Sequence, residues 1–101
     1  MGHGNSYENN ERHHLYEIID RANDDVFKYG ISFKPIGKDG LSERIREQVN
    51  LLNRIDKWQR FFGRILIVNI LGKREARRLE KEYIQNYISK HSERPRGNPV
   101  D

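Results

Sequence analysis

The sequence contains no cysteine and no long apolar segment. Without cysteine there are no disulfides and no thiolate metal sites, and the redox compartment stays open. The longest apolar run, ILIVNIL at residues 65–71, is far too short to span a bilayer. The polar N-terminus, MGHGNSYENNER, shows no signal-peptide pattern. Internal repeats are also absent, so we interpret the 101 residues as one domain with a modest core.

The charge is distributed unevenly along the chain. The formal net charge is +4, but residues 1–25 contain two basic and six acidic side chains. Residues 26–101 therefore contain 17 basic and 9 acidic side chains. A basic surface of this kind suits a polyanion such as DNA or RNA, although a solvated Lys- and Arg-rich surface would look the same.

The pattern of apolar and turn residues predicts an α+β domain. We expect residues 1–12 to form a flexible lead-in and residues 13–101 to form the folded domain. HLYEIID (His14–Asp20) and VFKYGIS (Val26–Ser32) read as two strands joined by a hairpin loop, and RILIVNIL (64–71) reads as a third. These strands predict a small, mostly antiparallel three-stranded sheet with helices packed against it.

Two helices are predicted between and after these strands. The segment 41–55 has apolar residues at positions 41, 45, 49, 52 and 55. The second helix starts within LGKRE and runs to about Lys90, and its apolar stripe contains Ala76, Leu79, Tyr83, Ile84, Tyr87 and Ile88. The prolines of the tail HSERPRGNPVD prevent the helix from continuing.

Charged side chains fall on the apolar faces of both helices. At about 100° per residue, Glu80 lies inside the stripe of the second helix, while Arg44 and Gln48 lie at the edge of the first. The inward position of the Glu80 carboxylate has three possible explanations: protonation, an ion pair with an inward basic residue such as Arg44, or a bound metal ion. We expect the ion pair. Arg44 needs an acidic partner or a ligand, unless its stem packs while its guanidinium stays in water.

Alternation along the strands places the other candidate residues. Tyr16 shares a face with His14, whereas His13 and His14 point to opposite faces and cannot bind one metal together. In the second strand Lys28 and Gly30 lie on one face. Its other, apolar face is predicted to contain Phe27, Tyr29 and Ile31.

Five segments together resemble the GIY-YIG nuclease superfamily, which includes excision-repair incision subunits and intron-encoded homing endonucleases. They are HLYEI, FKYGIS, LSERI, ARRLEKEYI and PRGN, in the family's order and covering His14 to Asn98. LYE stands where the family has GIY, and KYG replaces YIG, so that a lysine takes the position of the second tyrosine. The closest likeness is to the C-terminal nuclease modules of secreted bacterial polymorphic (Rhs-type) toxins, which share GHGNS, QVNLLN and P-x-GN.

This resemblance implies metal-dependent hydrolysis of phosphodiester bonds. Glu80 would hold Mg²⁺ or Mn²⁺, Arg44 would clamp a phosphate oxygen, and either Tyr16 or Lys28 would act as the base. Asn98 would complete the catalytic set, and Gly30 would let the backbone approach the phosphate. The implied substrate-binding residues further include Ser32, Gln48, Lys73, Arg74, Arg77, Arg78, Lys81 and Arg96.

The resemblance also implies a biological context. Such modules are antibacterial effectors that are secreted, act in the target-cell cytoplasm and are neutralised by an immunity protein. A chain that stops three residues after Asn98 is typical of a cargo domain at the tip of a longer protein. DNA is favoured as the substrate. The alternatives are an RNA-cleaving toxin, a non-catalytic basic nucleic-acid-binding module, or a protein-interaction domain that docks through its acidic first 25 residues.

Overall fold

A three-stranded antiparallel sheet lies between two helices in the computed structural model, which describes residues 11–100. The elements are β1 (Arg12–Asp20), β2 (Asp25–Ser32), α1 (Glu43–Asp56), β3 (Phe61–Leu71) and α2 (Lys73–His91). The strand order is β2-β1-β3, so β1 is central. The predicted α+β class and the order of the elements are confirmed.

The strands begin earlier than the sequence pattern predicts. β1 starts at Arg12 rather than His14, and β3 starts at Phe61 rather than Arg64. Phe61 lies before the predicted third strand, but it pairs with Asp20 across the sheet. Arg12 therefore belongs to the sheet, while residues 1–10 of the predicted lead-in lie outside the described residues.

The two helices cover opposite faces of the sheet. Ile45 of α1 packs in a cluster with Tyr16, Ile18 and Phe61. Ala76 of α2 packs with Leu15 and Ile70 on the other face. Since successive residues of β1 point to opposite faces, the strand is buried on both sides and holds the two halves of the core together.

A β-bulge changes one predicted face of β2. The β1–β2 register shifts between Ile18 and Ile19, because Ile18 pairs with Lys28 while Ile19 pairs with Val26. Phe27 consequently packs in the α1 cluster and meets the Phe61 ring edge-on at 5.1 Å. The prediction that Phe27 shares a face with Tyr29 was wrong, since Tyr29 packs against α2.

The buried face of α1 is narrower than the sequence pattern predicted. Ile55 was expected on the apolar stripe, but it is 68% exposed. The buried residues of the helix are Ile45 and Asn53, and Ile55 lies about 80° around the helix from Ile45. The helix ends one residue later, so its last turn contributes little to the core.

The predicted stripe of α2 is confirmed. Ala76, Glu80, Ile84 and Tyr87 are its buried residues, so the inward placement of Glu80 is correct. The helix is long but richly charged, and within the described residues no helix meets the length and apolarity that a bilayer crossing requires.

A buried amide fixes the far end of α1 to β3. Asn53 donates from Nδ2 to the Phe61 carbonyl at 3.0 Å, and its Oδ1 accepts from the Phe61 N–H at 2.7 Å. The side chain thus acts as an additional strand partner for Phe61. This link sets the distance between α1 and the sheet, and therefore the position of the residues at the start of α1.

We predict that Asn53→Ala destabilises the fold by about 2–4 kcal/mol, because it leaves a buried N–H and a buried C=O of Phe61 without partners. Urea denaturation followed by circular dichroism measures this change. Asn50→Ala, on the exposed side of the same helix, is the matched control and should change stability by less than about 0.5 kcal/mol. Equal effects of the two substitutions would contradict this account of Asn53.

Candidate active site

Both helices, two strands and the C-terminal tail line one cleft of about 810 Å³. Tyr16 comes from β1 and Arg44 from α1, while β2 contributes Lys28, Gly30 and Ile31. α2 contributes Arg74, Arg77, Arg78, Glu80, Lys81 and Ile84, and the tail contributes residues 97–100. Neighbouring residues of β2 on opposite faces take part, so the cleft wraps around the β2 edge of the sheet. Residues of both helices therefore line the cleft, although the helices cover opposite faces of the sheet.

Burial and charge act together on the two candidate bases. Tyr16 is almost fully buried, and burial raises the pKa of its phenol while the Arg44 charge opposes the rise. Burial lowers the pKa of the Lys28 ammonium, Arg44 lowers it further, and Glu80 raises it. Tyr16 and Lys28 thus both respond to Arg44 and Glu80, which places all four groups in one electrostatic environment.

These shifts have opposite consequences for proton transfer. Tyr16 keeps its proton at neutral pH and donates it to Gln48 Oε1 at 2.9 Å. The Lys28 pKa moves toward neutrality, which is the direction a general base needs. The electrostatics of the cleft therefore favour Lys28 over Tyr16 as the proton acceptor.

The Tyr16 ring leaves no room for a side chain at position 30, which is a glycine. Gly30 pairs directly with Tyr16 in the β1–β2 register, and a Cβ at this position would overlap with the Tyr16 ring. The absence of a side chain therefore lets the phenol lie across β2 and reach the cleft. This packing is a different reason for the glycine from the close phosphate approach that the resemblance implies.

The ion-pair partner of Glu80 differs from the one predicted. Glu80 is 8% exposed, and its Oε1 accepts a hydrogen bond from Arg77 Nη1 at 2.8 Å, one helical turn away. Arg44 lines the same cleft, but among the described residues no ion pair joins it to Glu80. Arg44 is an exposed residue of α1, and its guanidinium acts on the Tyr16 phenol instead. Glu80 is therefore ion-paired as expected, but its partner is Arg77 and not the suggested Arg44.

The start of α1 is tied to β1 on the Tyr16 face. Ser42, which caps α1 and is fully buried, is 3.0 Å from His14 Nε2 through its Oγ. His14 is also buried, and burial lowers its pKa, so the ring is neutral at physiological pH. This contact fixes the first turn of the helix, from which Arg44 projects.

Asn98 acts on the backbone of β2. Its Oδ1 accepts from the Tyr29 N–H at 2.8 Å, and its Nδ2 donates to the Tyr29 carbonyl at 2.9 Å. The side chain imitates a paired strand and fastens the tail to the edge of β2. Asn98 lines the cleft, yet both ends of its amide are used in this contact.

The cleft contains only part of the predicted substrate-binding set. Arg74, Arg77, Arg78 and Lys81 line it, but Arg78 is paired with both Glu75 and Glu82 on the outer side of α2. Gln48 is not among the residues that line the cleft, but it accepts a hydrogen bond from the Tyr16 phenol, which does line it. The other predicted members do not line the cleft: Ser32, which is buried and accepts from the Lys34 N–H, together with Lys73 and Arg96.

Arg96 instead pairs with Asp20, a residue that the sequence analysis did not select. Asp20 shares a strand face with His14, Tyr16 and Ile18 by simple alternation. A charged residue on that apolar face was a signal of the same kind as Glu80.

A divalent metal fits the donor set at Glu80. Mg²⁺ and Mn²⁺ prefer oxygen ligands, and Mg²⁺ is often held by one or two carboxylates together with water and substrate phosphate. Among residues 11–100, Glu80 is the one carboxylate that lines the cleft. Within residues 11–100 no cluster of three or more His, Cys, Asp or Glu side chains forms a fully protein-built metal site. The site therefore suits a metal that keeps most of its water.

A buried phenol and a carboxylate in a basic cleft, on this α+β fold, fit a small nuclease-like enzyme. Compared with known protein families, the chain matches the model described as URI fold toxin 2 over residues 6–92. It therefore belongs to the URI fold toxin 2 family, a group of URI-type toxin modules within the GIY-YIG-like nuclease superfamily. Neither the curated proteins nor the solved structures contain a significant match.

We predict that Arg44→Ala raises the pKa of the Tyr16 phenol further, because it removes the positive charge that opposes the effect of burial. Titration followed by the ¹³Cζ chemical shift of tyrosine measures the pKa, with Tyr16→Phe assigning the signal. Arg54→Ala, an exposed arginine further along α1, is the control and should leave the pKa unchanged. An unchanged pKa in Arg44→Ala would show that Arg44 does not act on the phenol.

Proposed function

We propose that this toxin domain hydrolyses phosphodiester bonds of DNA with the help of one divalent metal ion. The observation that carries the proposal is the convergence of Tyr16, Lys28, Arg44 and Glu80 on one cleft. Membership in a toxin family supports an effector function of the nuclease-like kind. The choice of DNA and of a divalent metal follows the resemblance to GIY-YIG nucleases, and the choice of base follows the electrostatics of the cleft.

Glu80 would hold Mg²⁺ or Mn²⁺ together with water. When bound, the ion supplies positive charge that stabilises the leaving oxygen and the transition state of the phosphate. The Arg77 guanidinium already lies at Glu80 Oε1, so it is positioned to contact the same phosphate group. A non-catalytic nucleic-acid-binding module would have no use for a carboxylate in a basic cleft, which favours the enzyme.

Arg44 and Lys28 divide the remaining tasks. Arg44 is exposed and permanently charged, so its planar guanidinium can bind two phosphate oxygens at once. Lys28, with its lowered pKa, would accept a proton from the attacking water. Tyr16, which stays protonated, would orient that water through its phenolic oxygen, and Gln48 holds the phenol in place.

We predict that Glu80→Gln and Arg44→Ala each reduce DNA cleavage by at least about 100-fold. Glu80→Gln removes the carboxylate that would hold the metal, and Arg44→Ala removes a positive charge from the phosphate. Nicking of supercoiled plasmid in the presence of Mg²⁺ or Mn²⁺, and its loss on addition of EDTA, measures the activity. Controls are Glu82→Gln, on the outer side of α2, and Arg54→Ala, on α1 beyond the cleft.

The same assay separates the alternatives. If folded Glu80→Gln and Arg44→Ala proteins cut like the wild type, the site assignment is refuted. Cleavage of RNA but not of DNA would keep the site and change the substrate. If the protein binds nucleic acid and shows no metal-dependent cleavage of either, the domain is a non-catalytic binding module.

Salt dependence tests the path of the nucleic-acid backbone. We predict that Arg74→Ala lowers the slope of log Kd against log salt by about 0.9, the value of one phosphate contact with duplex DNA. Arg78→Ala should have a smaller effect, since Glu75 and Glu82 already neutralise Arg78. Fluorescence anisotropy with labelled duplex DNA and the inactive Glu80→Gln protein measures both slopes. Equal slopes for the two variants would show that the nucleic-acid backbone does not contact Arg74.

The cellular setting follows from the toxin family. We propose a secreted antibacterial effector that acts in the cytoplasm of the target cell. The producing cell would need an immunity protein, and an acidic surface that enters the basic cleft would block it by charge complementarity. Arg74, Arg77 and Lys81 on α2 are the positive groups that such a surface would meet.

A further inference from the structure

Asp20 forms a buried ionic junction outside the cleft. Its side chain has no solvent exposure, and its Oδ1 accepts hydrogen bonds from Arg60 Nε at 2.7 Å and from the Ala22 N–H at 2.9 Å. Its Oδ2 accepts from Arg60 Nη2 at 2.9 Å, from Asn23 Nδ2 at 3.0 Å and from Arg96 Nη2. The Arg60 guanidinium holds the pKa of Asp20 well below its usual range, so the carboxylate is ionised at neutral pH. One charge thus joins the hairpin turn, the segment before β3 and the C-terminal tail.

The tail beyond α2 is one wall of the cleft. The Gly97 N–H donates to the Phe27 carbonyl at 2.7 Å, and Asn98 holds Tyr29 on the same strand. A side chain at position 97 would come within 2.7 Å of Lys28 Cβ, so the tail is in direct contact with a residue of the site. The family match ends at residue 92, so this wall lies outside it.

Arg96 connects the junction to the wall. Its guanidinium lies 5.3 Å above the Phe27 ring, but half of the side chain is exposed. Within residues 11–100 no carboxylate other than Asp20 pairs with it. Arg60, by contrast, also bonds Asp56 at 2.8 Å and would keep that partner if Asp20 lost its charge. Loss of the Asp20 charge should therefore loosen the tail more than the start of β3.

We propose that Asp20 is a positioning residue of the active site: through Arg96 it fastens the tail to β2, and so places the cleft wall that contains Asn98 beside Lys28. The proposal rests on the proposed nuclease function. Asp20 does not line the cleft and touches no reacting atom. It acts by restricting the tail to the one arrangement in which the cleft is complete.

Two substitutions that remove the same charge separate the effect of position from the effect of charge. Asp20→Asn and Asp56→Asn each remove one negative charge and keep the shape of the side chain, so long-range electrostatics predict slightly tighter DNA binding for both. Only Asp20→Asn weakens the bond to Arg96. A loss of activity that occurs in Asp20→Asn but not in Asp56→Asn therefore reports position and not charge.

Two measurements on the full chain test the proposal. Amide hydrogen exchange by NMR is followed at Tyr29 and Gly97, whose N–H groups report tail docking, with the amides of the β1–β3 pairing as internal reference. In Asp20→Asn we expect exchange at the two tail reporters to rise at least about tenfold relative to the reference. We also expect kcat for plasmid cleavage to fall at least about tenfold, with KM little changed. Asp56→Asn should match the wild type in both.

Arg96→Gln removes the same bond from its exposed end and so tests the proposal even if Asp20→Asn does not fold. It should reproduce the faster tail exchange and the lower kcat. Combined with Asn98→Ala it should be no less active than Asn98→Ala alone, because both substitutions release the same wall. If Arg96 instead bound the substrate, Arg96→Gln would raise KM and leave the tail amides protected, and the proposal would be overturned.

The remaining outcomes are also decisive. Faster tail exchange with unchanged cleavage would overturn the positioning role while leaving the proposed function intact. Unchanged tail exchange in both variants would overturn the attachment itself. A wild-type protein that cuts neither DNA nor RNA would refute the proposed function and the catalytic part of this proposal, while the exchange data would still show whether Asp20 fastens the tail.

Discussion

The burial of the Asp20 carboxylate between two guanidinium groups is the interaction on which the shape of the site depends. An unpaired charge at a position with no solvent exposure would cost several kcal/mol. Arg60 and Arg96 both donate to this carboxylate, so it holds two guanidinium groups at one point. These two arginines are 36 positions apart in the sequence. The requirement to neutralise one charge therefore selects the arrangement of strand ends and tail in which the cleft exists.

The repeating parts of the fold could be predicted from the sequence because they depend on local periodicity. The α2 stripe with its inward Glu80 follows from an advance of about 100° per residue and is confirmed. The errors occur where pairing across the sheet overrides that pattern. The bulge opposite Ile18 turns Phe27 to the other face, and Asn53 draws Phe61 into β3 by bonding to its backbone. Neither effect has a sequence signal within its own segment.

The candidate site, too, could be predicted from the sequence only in part. Periodicity and strand alternation correctly turned Glu80 inward, but they could not identify its partner, because the rotamers of Arg77 and Arg44 depend on solvent and neighbours. Arg77 lies one turn from Glu80 and binds it without long-range constraint, whereas Arg44 would have to reach across from α1. Strand alternation gave the same kind of signal for Asp20, but its partners Arg60 and Arg96 are far away in the sequence and could not be identified from it.

The pairing of Glu80 with Arg77 also bears on how the site could work. A metal ion and a guanidinium both seek the carboxylate oxygens, so metal binding competes with this ion pair unless Arg77 moves to another anion. A phosphate in the cleft is such an anion. Metal and substrate would then favour each other's binding, because phosphate draws Arg77 away from Glu80 while the metal replaces the positive charge there. The buried carboxylate would then keep a positively charged partner in both states.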